Sequence, residues 1–112
     1  AASGASIDIS SDVQSATEGA HAIYTDVWVS MGQESESDRR MKALAPYQVN
    51  EAAFRNAEPD AIFMHCLPAH RGEEVEDELI DGPRSAVFEQ AGNRLYAQKI
   101  LLEILAGGKN AL

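Results

Sequence analysis

A chain of 112 residues with a net charge of −9 has no basic face for nucleic acid, whose phosphates are held by clustered lysine and arginine. Its 45% hydrophobic content is that of an ordinary globular domain, and no apolar run approaches the ~20 residues that a membrane-spanning helix needs. One cysteine excludes an internal disulfide framework and fits a reducing compartment, most simply the cytoplasm.

The chain opens on Ala1-Ala2-Ser3-Gly4-Ala5-Ser6, without methionine and without a signal peptide, so we expect a piece of a longer protein. Residues 7–10 alternate apolar and polar and predict a short strand. Ser10 or Ser11 caps a helix over 12–18, which Gly19 ends. Residues 22–28, β-branched and aromatic, predict a second strand, followed by a turn over 29–32. A helix over 38–45 stops at Pro46, and Asn50 caps another over 51–56. Pro59-Asp60 turns into a third strand at 61–65. A short helix over 74–80 closes at Asp81-Gly82-Pro83, residues 85–88 form a fourth strand, and 90–105 the longest helix. The order βαβαβαβα predicts an α/β fold, a three-layer parallel sheet with helices on both faces and right-handed crossovers. The acidic runs at 34–38 and 73–78 read as solvated loops or helix starts.

In open α/β sheets ligands bind at the carboxyl ends of the strands. Here those ends carry Asp26 with Ser30, His65 with Cys66, and Glu89 with Arg94, and side by side they describe one site. Asp26 interrupts an apolar strand, either capping the next loop or accepting a substrate ammonium group. Ser30, Met31 and Gly32 form a loop able to receive an amino-acid head group. Cys66 has three readings: a small buried hydrophobe, a nucleophile activated by His65 or His70, or a zinc ligand with those two histidines. The zinc set lacks a second cysteine pair, and adjacent strand residues point to opposite faces, so no metal is expected. Leu67-Pro68 is either a cis bond that aims carbonyls into the cleft or a trans proline that ends the strand. Arg94 near the amino end of the last helix is a phosphate clamp or an exposed arginine. Arg71 serves similarly or pairs with the acidic run that begins at Glu73-Glu74.

Three blocks carry a resemblance: residues 26–32 (Asp-Val-Trp-Val-Ser-Met-Gly), 65–72 (His-Cys-Leu-Pro-Ala-His-Arg-Gly) and 87–95 (Val-Phe-Glu-Gln-Ala-Gly-Asn-Arg-Leu). In order and spacing the chain resembles the ornithine carbamoyltransferases. The aspartate carbamoyltransferases carry proline in place of Cys66. The resemblance implies a Rossmann-like ornithine-binding domain and transfer of a carbamoyl group from carbamoyl phosphate to the side-chain amine of ornithine, giving citrulline and phosphate. It implies that Asp26 holds the ornithine amino groups while Ser30 and Met31 fix the amino-acid end. Cys66 would lie beside the attacking amine without a covalent intermediate, the Cys66 and Leu67 backbone would touch the carbamoyl group, and Arg94 would bind the carbamoyl oxygen or the phosphate. It implies no cofactor, and a homotrimer for the intact enzyme.

The family's Ser-Thr-Arg-Thr-Arg and His-Pro-x-Gln segments are absent from these residues, as is the asparagine that helps hold ornithine. Residues 1–112 are therefore expected to be part of an ornithine-binding domain, the last third of a carbamoyltransferase, inactive alone. By the same resemblance the last helix packs on the missing domain, so its apolar face, including Leu101, Leu102 and Leu105, is expected to be exposed here or buried in a partner chain. The rival readings are a carbamoyltransferase for another amine such as putrescine, a non-catalytic ligand-binding or assembly module, and a small metal-binding domain.

Overall fold

A computed structural model describes residues 3–29 and 37–107. Ser30 and Met31 lie outside the described residues. Two strands, β1 (Ala22–Thr25) and β2 (Ile62–His65), pair in parallel with Ala22 opposite Ile62 and Thr25 opposite His65. Phe63 then pairs on its other side with Ser85: its N–H donates to the Arg84 carbonyl at 2.8 Å, and its carbonyl accepts from Ala86 at 2.9 Å. β2 is thus bonded on both sides. Its side chains alternate as a pleated strand requires, Phe63 and His65 buried, Ile62 exposed and Met64 half-buried.

Short helices pack beside this ribbon. α1 (Val13–Ala16) starts at Asp12, whose carboxylate accepts from the Gln14 N–H at 3.0 Å. α2 (Ser37–Leu44) runs into a 3₁₀ turn at Ala45–Tyr47, where Pro46 fits the first turn of a helix and cannot continue one. α3 (Glu51–Phe54) is capped by Asn50, whose Oδ1 accepts from Ala53 at 3.1 Å. α4 (Asp77–Ile80) and α5 (Val87–Leu105) follow β2. Phe63, Val75, Leu79, Ile80 and Val87 are buried together with Phe54 from α3 and Ile23 from β1. No described helix is long and apolar enough to cross a membrane.

The loop from Cys66 to Glu76 is held by backbone pairing rather than by a helix. Val49 donates to the Glu74 carbonyl at 2.9 Å and accepts from Glu76 at 3.0 Å, making a parallel bridge between Val49 and Val75. Gln48 Nε2 donates to the carbonyls of Gly72 and Glu73. The helix expected over 74–80 is accordingly confined to Asp77–Ile80, because its first residues are committed to this bridge.

The parallel α/β arrangement is as the sequence predicts, with two corrections to its strands. Residues 7–10 form no strand among the described residues: Ile7 is 87% and Ile9 97% exposed, with no neighbour to pair with. The strand expected over 85–88 contracts to the single bridge at Ser85, because the last helix begins at Val87 and not at residue 90. Val87 is fully buried, so the chain turns helical as soon as that side chain reaches the core. Leu95, Leu101, Leu102 and Leu105 on α5 are exposed.

Candidate active site

Because Thr25 and His65 are register partners at the ends of parallel strands, the next residues, Asp26 and Cys66, leave the sheet side by side. The Cys66 thiol donates to Asp26 Oδ1 at 3.0 Å. The same oxygen accepts from the Val27 N–H at 2.7 Å. The thiol's hydrogen bond, then the Val27 amide, hold the Asp26 carboxyl below its usual range. Reciprocally, the bond to Asp26, then burial, push the Cys66 thiol up. Tyr24, two residues before Asp26 on the same strand face, has its phenol pushed up, chiefly by its hydrogen bond with Cys66. The cluster at neutral pH is therefore an ionised carboxylate, a protonated thiol and a phenol. The bond to Asp26 favours the thiol over the thiolate, the form that a nucleophile needs.

His65 points away from Cys66 into the core and is fully buried. Its Nδ1 accepts from the Leu67 N–H at 2.8 Å, so the ring proton sits on Nε2. Nε2 lies 3.2 Å from Oε1 of the equally buried Glu74, near enough for attraction but misaligned for a hydrogen bond. Glu74 Oε1 also accepts from the His70 backbone N–H at 2.6 Å. This buried pair braces the turn that follows Cys66. The Leu67–Pro68 peptide is cis, and Leu67 has φ 55°, the left-handed region that leucine seldom occupies. A residue held there costs on the order of 1–3 kcal/mol and must be held by its surroundings. The His65–Leu67 bond is such a hold. The carbonyls of Cys66 and Leu67 accept no hydrogen bond from a described residue.

From α5, Gln90 Oε1 accepts from the His65 backbone N–H at 3.1 Å, tying the helix start to the strand end. Gln90, Glu89, Asn93, Ala86, Met64 and Ile62 line a hollow of about 360 Å³ beside the sheet. Arg94 stands one turn beyond Gln90 on the same helix side. It is exposed and bonds to no described residue. Since α5 starts at Val87, Arg94 is two turns in, beyond the first turn where a helix dipole attracts anions. Asp26 and Cys66 are brought together; Arg94 and Glu89 make no described contact with them.

Arg71 pairs with the acidic run at Asp77, and with Asp81 beyond it. Its guanidinium takes Asp81 in a two-point bond (2.7 and 3.1 Å) and Asp77 Oδ1 at 3.0 Å, which raises its pKa and ties the loop to α4 rather than to Glu73 and Glu74. The zinc set of His65, Cys66 and His70 does not converge: His65 is bonded to Leu67, Cys66 faces Asp26, and His70 lies beside Glu73 and Glu74. Tyr24, Glu74 and Gln90 are the site residues that sequence reading missed. Only Tyr24 left a signal, its two-residue spacing from Asp26 on one strand face.

Residues 1–105 match the family described as aspartate/ornithine carbamoyltransferase, Asp/Orn binding domain. The ornithine carbamoyltransferase of Geobacillus stearothermophilus is 59% identical over 103 residues, covering 91% of this chain and 33% of that protein. That of Thermococcus kodakarensis is 55% identical over 108 residues, covering 96% of this chain and 34% of that protein. The solved ornithine carbamoyltransferase of Pyrococcus furiosus superposes with a TM-score of 0.76 at 56% identity, covering 82% of this chain and 29% of that one. The chain thus spans about a third of the length of the curated relatives it matches. With the His-Cys-Leu-Pro turn, its neighbouring aspartate and the sheet that sets them side by side all present, the chain belongs to the aspartate/ornithine carbamoyltransferase family, within its Asp/Orn binding domain.

Proposed function

We propose that residues 1–112 are the ornithine-binding part of an ornithine carbamoyltransferase, which transfers the carbamoyl group of carbamoyl phosphate to the side-chain amine of L-ornithine in arginine biosynthesis. The observation that carries this reading is the 3.0 Å contact between the Cys66 thiol and Asp26 at the ends of adjacent parallel strands. Relatives named ornithine carbamoyltransferase at 55–59% identity support the same substrate.

The reaction forms a bond from the ornithine side-chain nitrogen to the carbamoyl carbon, breaks the carbon–oxygen bond to phosphate and releases the amine proton. Asp26, kept ionised, accepts hydrogen bonds from the ornithine amino groups. Cys66, kept protonated, lies against the attacking amine and orients it without bonding to carbon. The carbonyls of Cys66 and Leu67 accept from the carbamoyl amide nitrogen. Ser30 and Met31 hold the amino-acid end, and Arg94 meets the carbamoyl oxygen or phosphate. Much of the acceleration comes from placing two reactants together and from stabilising the oxyanion of the tetrahedral intermediate. The phosphate-binding segment lies outside these residues, so the reaction needs the rest of a carbamoyltransferase, as a homotrimer in the cytoplasm. The protein works without a cofactor.

The test is a chimera in which residues 1–105 replace the matching segment of the Pyrococcus furiosus enzyme. The expected result is citrulline from ornithine and carbamoyl phosphate, with putrescine a poor acceptor. A folded chimera that makes no citrulline, or that prefers putrescine, overturns the reading.

A further inference from the structure

On the far side of the Cys66 turn, His70 Nδ1 lies 3.8 Å from Glu74 Oε2 and 4.0 Å from Glu73 Oε2. One ligand atom from each of the three residues falls within 4.8 Å of the others. Acidic residues cluster on many surfaces without consequence, but Glu74 is different. Its side chain is fully buried, and its Oε2, aimed at this cluster, has no hydrogen-bond partner. A buried carboxylate oxygen without a partner is costly, and such atoms call for an explanation.

Glu73 pairs with His70, and Glu74 with both His65 and His70. Arg71, the nearest guanidinium in sequence, is spent on Asp77 and Asp81. Glu76 Oε2 is taken by the Glu51 N–H. Five acids crowd residues 73–78, and the His70 ring faces both Glu73 and Glu74.

From this geometry we infer that His70, Glu73 and Glu74 form a binding site for a divalent first-row transition-metal ion. One imidazole nitrogen and two carboxylate oxygens are borderline-to-hard donors, suited to such ions. Ligand bonds of about 2.0–2.2 Å place ligand atoms roughly 3.0–3.5 Å apart. His70 and Glu73 are 48% and 40% exposed, so they close the remaining gap by side-chain rotation while Glu74 stays fixed. Three protein ligands leave at least one position to water. The ion would sit against the carboxylate that faces His65, on the brace of the Cys66–Leu67 turn. This site shares no residue with the proposed ornithine contacts, and the inference does not rest on carbamoyl transfer.

The test is equilibrium dialysis of the 112-residue chain, free of any histidine tag, against Co(II), with the absorption spectrum of the bound ion. Expected are one Co(II) per chain, ligand-field bands without a thiolate charge-transfer band, and unchanged binding in Cys66→Ser. His70→Ala and Glu73→Gln, both at exposed side chains, should each weaken binding by at least about tenfold while circular dichroism is retained. Glu74 is left alone because its variants confound binding with folding. Absence of saturable binding, binding that survives both substitutions, or binding lost in Cys66→Ser overturns the inference. The first of these outcomes would leave His70 as a simple ion-pair partner of the two glutamates.

Discussion

Cys66 and Asp26 each stand one residue beyond a register pair, Thr25 and His65, and their side chains meet at 3.0 Å. Neither residue is special alone. Parallel pairing makes them neighbours, and each then fixes the other's protonation state. The carboxylate favours the protonated thiol, and the thiol favours the ionised carboxylate.

The first prediction follows from that coupling. Because the thiol is pushed up chiefly by Asp26, Asp26→Asn returns it toward its ordinary value and enlarges the thiolate fraction at about pH 8. Iodoacetamide should therefore alkylate Cys66 faster in the variant than in the parent chain. An equal or slower rate would show that the carboxylate does not set the thiol. The stability linked to the pair has two limits. Asp26 is depressed, so its contribution is present above the unfolded carboxyl value of about 3.9 and is lost as pH falls through the folded value. Cys66 is raised, so its contribution is full below the unfolded thiol value of about 8.5 and is lost as pH rises through the folded one.

His65→Phe tests the brace. The substitution removes the acceptor of the Leu67 N–H and the imidazole that faces Glu74, whose Oε1 keeps the His70 N–H. Leaving the Leu67 N–H without its acceptor costs about 1–3 kcal/mol. The urea midpoint of the chain should fall accordingly. A drop within about 0.5 kcal/mol, the range of ordinary surface changes, would mean that the pair does not hold the turn.

Gly82 supplies a third prediction. A Cβ built there meets the Glu78 carbonyl oxygen at 2.5 Å, a backbone atom of α4 that cannot rotate aside. Gly82→Ala must displace the turn between α4 and the Ser85 bridge, at roughly 1–3 kcal/mol as for overpacked cores. Thermal unfolding of the variant at a temperature equal to or above that of the parent would contradict this.

Much of this architecture was legible in the residues. Ala22-Ile23-Tyr24-Thr25 and Ile62-Phe63-Met64-His65 are β-branched or aromatic runs ended by polar side chains, and both are strands in the register that joins Asp26 to Cys66. Asn50 announced its helix because a side-chain acceptor before an apolar run has few other uses. What failed depended on partners distant in sequence. Ile7-Asp8-Ile9 has the alternation of a strand but no described neighbour, and alternation alone cannot supply one. Glu74 reads as one acid in a solvated run, yet it is buried because Val49 captures its backbone and His65 faces its side chain. The short fourth strand reflects a competition that local preference does not decide, in which Val87 enters the core already helical.

The isolated chain should make no detectable citrulline from carbamoyl phosphate and ornithine. It spans about a third of its curated relatives, and no phosphate-cradling Ser-Thr-Arg-Thr-Arg run occurs in its 112 residues. A colorimetric citrulline assay with the active Pyrococcus furiosus chimera as positive control decides the matter. Turnover by the bare chain would show that the phosphate site can be dispensed with.

Arg94 separates function from fold most cleanly. It is exposed on α5 and bonds to no described residue, so Arg94→Gln should change the stability of the chain by no more than about 0.5 kcal/mol. In the proposed reaction the same guanidinium meets the phosphate or the carbamoyl oxygen, and at that oxygen charge develops only as the tetrahedral intermediate forms. Removing one such donor costs on the order of 10²–10³ in turnover. The chimera carrying Arg94→Gln should therefore lose about two to three decades in kcat at unchanged thermal stability, with KM for ornithine little affected. A chimera that keeps full turnover would remove Arg94 from the site. A chimera that unfolds would show that α5 uses the arginine to dock and not to react.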